Sequence, residues 1–134
     1  MFKPFGFPLN DNDVKAFVYS WFAAADHDGD YKRLFSFLDP GGFEIKIPGL
    51  TLTTTEGVDK WRQAVRASLT DEGHDIDSVC VTRRNDGRIV ADIKGRWIGR
   101  EKGKPFERPF RQVWSLTSSE QHPLLLNKVE FVAV

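Results

Sequence analysis

IVADIKGRWIGREKGKPFERPFRQVWSL, running from Ile89 to Leu116, reads as two long antiparallel strands, Ile89–Gly99 and Phe106–Leu116, joined by the polar turn Arg100–Pro105. Successive side chains of a strand point to opposite faces, so folding one arm onto the other with Gly99 opposite Phe106 assigns every residue to a side. One face carries Ala91, Ile93, Gly95 and Trp97 beside Arg108, Phe110, Gln112 and Trp114. The other carries Val90, Asp92, Lys94 and Arg96 beside Pro109, Arg111, Val113 and Ser115. The first is aromatic and free of carboxylates, so it is expected to meet the rest of the fold. The second has opposite charges that can pair across strands, and is expected to face water or a partner subunit. A one-residue slip would bury Asp92, Lys94 and Arg96, and an unpaired buried charge costs several kcal/mol.

Working outward, His74–Arg84 reads as the preceding strand, with Asn85-Asp86-Gly87 as a hairpin turn. Its register is open: a two-residue turn puts Ile76, Ser78 and Cys80 inward, and a three-residue turn puts Val79 and Val81 there. After a loop at Thr117–Pro123, Leu124–Val134 supplies a final strand. Toward the N-terminus, Asn10-Asp11-Asn12 offers capping oxygens, and Val14, Phe17, Val18, Trp21, Phe22 and Ala25 follow helical spacing to about Ala25. The break Asp26-His27-Asp28-Gly29-Asp30 is not a calcium loop, because Tyr31 and Phe37 stand where the sixth-position Gly and twelfth-position Glu belong. Gly29 is expected to end the first helix and Asp30 to cap a second, Tyr31–Leu38. A strand at Phe43–Ile47 ends at Pro48-Gly49, and Thr53-x-x-Glu56 reads as a capping box opening a third helix. That helix would bury Val58, Trp61, Val65 and Leu69 and turn Lys60, Arg62 and Arg66 to water. Three helices segregated from a mostly antiparallel sheet make the fold class α+β, a curved sheet wrapped around N-terminal helices.

The 134 residues fit one domain, 1–134, with 1–9 as a Phe/Pro-rich arm. Nineteen basic and nineteen acidic residues cancel, which removes the basic stripe that drives nucleic-acid binding. No apolar run reaches the roughly 20 residues of a membrane span, and the N-terminus has no signal-type apolar stretch. Cys80 is the only cysteine, so no internal disulfide forms and a reducing, cytoplasmic setting is expected. Eleven Phe and four Trp are generous for a domain of this size; such rings fill cores first, and they also suit the walls of a small-molecule cavity.

The element order and several local motifs resemble the nuclear transport factor 2-like superfamily, a cone of curved sheet closed by three helices. These motifs are Gly29-Asp30, Pro48-Gly49, Gly57-Val58-Asp59-Lys60-Trp61, His74-x-Ile76-x-Ser78-Val79 and Asp86-Gly87. The resemblance implies a cystatin-like roll, usually dimeric, in a group that includes ketosteroid isomerases, SnoaL-type cyclases, epoxide hydrolases, dehydratases and modules without chemistry. The fold therefore does not name the function. Ketosteroid isomerases resemble this chain in layout, yet Phe22 stands where their oxyanion-donating Tyr would be and Ile47 where their basic Asp would be. Gln112 stands where they carry a protonated Asp; it can donate a hydrogen bond but cannot take a proton. Isomerisation through those inherited residues is not expected.

The remaining candidates come from the inner face and its entrance. His74, with Asp75 and Asp77 as orienting carboxylates, is the candidate base, although the same pattern fits a hydrogen-bonded histidine between solvated aspartates. Arg108 and Gln112 are the candidate polar contacts, the former able to clamp a carboxylate or stabilise an oxyanion, or equally to sit at the rim and stack on Trp97. Trp21, Phe22, Ile47, Trp61, Trp97, Phe110 and Trp114 would wall the pocket. Cys80 has no cationic neighbour in sequence and reads as a buried, inert thiol. His27, His74 and His122 are scattered without metal-ligand spacing, no phosphate loop is present, and no cofactor is expected. Two functions follow. One is binding, with or without cofactor-free isomerase, cyclase, dehydratase or hydrolase chemistry, of a small hydrophobic molecule by a homodimer. The other is a dimerisation or interaction module whose cone is filled by its own aromatics.

Overall fold

In a computed structural model, residues 9–26, 31–118 and 124–134 are described. Helix α1 spans Asp11–Asp26 and is followed by a 3-10 helix at Tyr31–Phe37; β1 (Glu44–Ile47) and β2 (Leu50–Leu52) precede α2 (Thr55–Ser68). The long strands β3 (Leu69–Arg83), β4 (Ile89–Glu101), β5 (Lys104–Thr117) and β6 (Leu125–Val132) complete the chain. The sheet order is β2-β1-β6-β5-β4-β3, antiparallel throughout except where β1 runs parallel to β6. This is the expected α+β class, with two α-helices and one 3-10 helix in place of three α-helices, and with a short β2 that the sequence reading did not foresee. The expected break around His27, the loop residue His122 and the arm up to residue 8 lie outside the described residues.

Both α-helices start where a side chain can take an orphan amide. Asn10 Oδ1 accepts from Asp13 N at 3.0 Å, and Asp13 Oδ2 accepts in return from Asn10 N at 2.8 Å. In α2 the cap is Thr54 rather than Thr53: its Oγ1 accepts from Gly57 N at 3.0 Å. The capping residue sits one position later than the pattern suggested.

The β4–β5 register is the one that defines the two faces, with Gly99 opposite Phe106, Trp97 opposite Arg108 and Ile93 opposite Gln112. The strands run further than expected, to a tight turn in which Lys102 (φ 52°) and Gly103 (φ 78°) both take left-handed conformations. At the β3–β4 hairpin, Arg84 N donates to Arg88 O at 2.8 Å around Asn85-Asp86-Gly87, and Gly87 adopts φ 83°. The three-residue turn therefore holds, and Val79 and Val81 face inward opposite Ile93 and Ala91. A bulge between Ile76 and Ser78 then reverses the parity, so Ile76 and His74 face inward as well. Cys80 is left exposed on the outer face, which corrects the expected buried thiol.

Gly95 lies beside that bulge. A Cβ there would sit 2.3 Å from the Asp75 carbonyl oxygen and 2.9 Å from the Phe110 ring, so only glycine lets β3 and Phe110 close in. The core centres on the fully buried Trp114. Phe17 and Trp21 of α1 meet its ring edge-on with centroids at 6.3 and 5.7 Å, and Phe22 lies tilted at 5.7 Å.

On the outer face, Asp92 accepts two hydrogen bonds from Arg111, at 3.0 and 2.7 Å. Those bonds hold the Asp92 carboxyl below its ordinary value against the opposing effect of partial burial. A depressed carboxyl stabilises the fold above the normal carboxylate range, and this contribution is lost as pH falls through the folded-state value. Arg111→Gln is therefore expected to raise the Asp92 midpoint in a carboxyl carbon NMR titration. The stability gap between the two proteins should shrink on acidification; an unmoved midpoint would show that the pair does not set it.

Candidate functional site

The C-terminus of α1 is the place where the site is assembled. Asp26, its last residue, reaches β3: Oδ2 accepts from the His74 backbone N–H at 3.0 Å, and Oδ1 lies 2.8 Å from His74 Nδ1. An ionised carboxylate only accepts, which assigns the proton to Nδ1 and leaves Nε2 as an acceptor. The imidazole is packed by Phe22 at 4.7 Å, by Phe110 edge-on at 5.3 Å and by Trp97 nearly parallel at 6.5 Å.

Helix α2 closes the same end. Arg62 and Arg66 each donate to the Ala25 carbonyl at 2.9 Å, capping α1 with two cations where the helix dipole is negative. Arg62 also pairs with Glu72 at 2.5 Å, and its guanidinium lies 5.1 Å over the Trp61 ring. The second oxygen of Glu72 accepts from Trp97 Nε1 at 2.9 Å. Arg62 is only 2% exposed, so an arginine expected on the wet side of α2 is a buried structural cation. Its place on the stripe Val58, Trp61, Arg62, Val65 was the signal that could have found it. Asp26, four residues beyond Phe22 on the buried face of α1, carried the same kind of signal. Glu72 carried none.

Between these helices and the inner face of the sheet lies a cavity of about 380 Å³, bordered by residues from α1, α2, β1 and β3–β6. The expected residues Trp21, Phe22, Ile47, Trp61, Trp97, Phe110, His74 and Gln112 all line it. Phe131 and Val65, unanticipated, are among the further residues of the apolar wall, and Arg62 and Glu72 add to the polar end. Two expectations are corrected. Arg108 is exposed and outside the lining, so the ligand role falls and the rim position holds, with the guanidinium 5.3 Å over Phe106 rather than on Trp97; a cation without a buried partner stays in water. Trp114 is fully buried and also outside the lining, because α1 packs directly onto it. It acts on the cavity at one remove. Its Nε1 donates to Gln112 Oε1 at 2.9 Å, and since an indole only donates, the Gln112 amide is oriented with its NH2 available to the cavity.

Asp75 and Asp77 are not the partners of His74. Both lie on the outer face with Arg96, because His74 and its sequence neighbours alternate across the strand. Ligand atoms of Asp26, Glu72 and His74 come within 4.8 Å of one another. The guanidinium on Glu72 and the Asp26 contact on His74 Nδ1 already engage these groups, which makes them a poor donor set for a dication.

No family model and no curated protein matches the sequence. Solved structures do match the fold. Aln2 from a Streptomyces species aligns at a TM-score of 0.76 with 16% identity, covering 93% of this chain and 92% of that one. A protein from Catenulispora acidiphila in complex with S-DNPA aligns at 0.75 with 12% identity over 90% of each chain. An NTF2-like protein with a cystatin-like fold from Novosphingobium aromaticivorans aligns at 0.72 with 15% identity, covering 90% of this chain and 79% of that one. The chain has the NTF2-like, cystatin-like fold.

Proposed function

We propose that this chain binds a small apolar or aromatic organic molecule in the cavity between α1, α2 and the sheet. We further propose that it removes a proton from that molecule without a cofactor. The observation that carries the reading is the His74–Asp26 pair at 2.8 Å on the wall of an aromatic cavity. His74 Nε2 takes the proton, Asp26 holds the tautomer and faces the resulting imidazolium, and the Gln112 NH2 donates to the carbonyl oxygen where charge develops. Proton abstraction next to a carbonyl is a step that isomerases, cyclases and dehydratases share, so the geometry supports the step rather than one product. The open volume beside Gln112 favours this over a module filled by its own aromatics. A fold neighbour solved in complex with S-DNPA adds support for a small-molecule ligand.

The test uses 2-tetralone, a bicyclic ketone with exchangeable protons beside its carbonyl, in deuterated buffer. Protein-dependent loss of those proton NMR signals is expected. No acceleration with this ketone or a panel of related aromatic ketones would sink the catalytic part.

The outer sheet face, where Val90 and Val113 flank the Asp92–Arg111 pair, is the proposed dimer surface. Sedimentation at micromolar concentration should give twice the 15.3 kDa chain mass, and a species of one chain mass would refute it. The proposed setting is cytoplasmic, in keeping with the exposed free thiol of Cys80. Among the described residues no helix is long and apolar enough to cross a membrane.

A further inference from the structure

The hydrogen bonds at the polar end of the cavity decide the charge of what it holds. Its acceptors are already engaged. Glu72 serves Arg62 and Trp97, both Asp26 oxygens serve His74, and the Gln112 carbonyl serves Trp114. What the cavity can offer a ligand is the Gln112 NH2 at one place and the outer nitrogen of His74 at another, with the Phe110 ring between them on the sheet.

The charged groups around His74 fix what that nitrogen does when an anion arrives. From α1 comes Asp26, bonded to the ring, and from β3 comes Glu72, within 4.8 Å in the same cluster. From α2 come Arg62, whose charge Glu72 meets at 2.5 Å, and Arg66, directed with Arg62 onto the Ala25 carbonyl. β4 and β5 contribute the apolar Trp97 and Phe110. An anion entering this aromatic enclosure brings a charge that Arg62 is not free to balance, and an unbalanced buried charge costs several kcal/mol. Protonated His74 balances it, donates to it from Nε2, and at the same time makes an ion pair with Asp26.

We infer that the cavity takes aromatic acids as their anions, each binding together with one proton that lodges on His74. This rests on reading the cavity as a ligand site. It also identifies the bound state with the one that follows proton abstraction, an imidazolium beside an oxyanion. No bond of the ligand is made or broken: the carboxylate comes from solution already ionised, and the N–H bond formed at Nε2 takes its proton from the buffer acid.

Titration calorimetry with 2-naphthoate, and with its uncharged methyl ester as a comparison, tests the inference. The acid is expected to bind with uptake of close to one proton, read from the heats in buffers of different ionisation enthalpy. Its affinity should be more than about tenfold higher at about pH 6 than at about pH 8.5, on the two sides of the ordinary imidazole range. The sign follows from linkage: a ligand that favours the protonated ring binds best at low pH. The ester should bind with no such dependence. His74→Gln should flatten the pH dependence for the acid. If that variant does not fold, the His74 ring NMR titration of the natural chain carries the test, with a midpoint moved upward by the acid and not by the ester. Proton uptake near zero, or equal affinity at both pH values, would overturn the inference. Binding of the ester but not of the acid would overturn it while leaving the ligand site standing. Binding of neither would overturn both.

Discussion

Arg62→Ala is expected to cost about 3–5 kcal/mol of stability, the largest loss from any single charged residue among those described. Glu72 would remain as a carboxylate with a nearly buried side chain, 8% exposed, supported only by the Trp97 N–H. The Ala25 carbonyl would keep Arg66 but lose one of its two donors, and Trp61 would lose the guanidinium packed on its ring. Urea unfolding of three proteins separates the causes. If the buried charge is the main penalty, adding Glu72→Gln to Arg62→Ala should recover part of the loss, since a neutral amide tolerates burial better. A loss below about 1 kcal/mol for the single variant would mean that Arg62 behaves as a surface residue.

The second large effect falls on chemistry. His74→Gln should slow protein-dependent exchange of the 2-tetralone protons by about 10²–10⁴-fold, the range associated with a positioned general base. The amide of glutamine can still donate to Asp26, so a change in the thermal midpoint of only a few degrees is expected alongside. Asp26→Asn separates orientation from basicity. It removes the carboxylate that fixes the Nδ1 proton and faces the imidazolium, so it should also depress exchange while leaving the His74 ring in place. Unchanged exchange in His74→Gln would remove His74 from the role and leave the cavity as a binding site.

Much of this was legible in the Ile89–Leu116 hairpin because strand alternation is strict. Once Gly99 was set opposite Phe106, Trp97, Phe110 and Gln112 had to share the inner face, and they line the cavity. The same rule placed Arg108 on that face but could not say that its charge would leave the enclosure. Trp114 was placed correctly and given too direct a role, since alternation does not distinguish a wall from the core behind it. The partner of His74 was illegible for another reason. Asp26 is 48 residues away in sequence, and their meeting depends on where α1 ends over β3. Neighbouring Asp75 and Asp77 looked closer only along the chain. Arg62 was misassigned because charge was read ahead of position; a cation on an apolar stripe is a prompt to look for its buried partner.

The bulge in β3 works like a shift of reading frame. Beyond it Val79 and Val81 serve the core on odd positions; before it, on even ones, Glu72 and His74 line the cavity and Ile76 packs against the core. The two halves of the strand can thus drift separately, one spelled for packing and the other for chemistry. Length matters there more than spelling. Deleting Asp77 would regularise the strand and keep both sets inward. Losing the bulge with every residue retained would turn Asp75 and Asp77 toward the aromatics and send His74 into water. In a strand of this length, that one residue of slack is what keeps an imidazole inside.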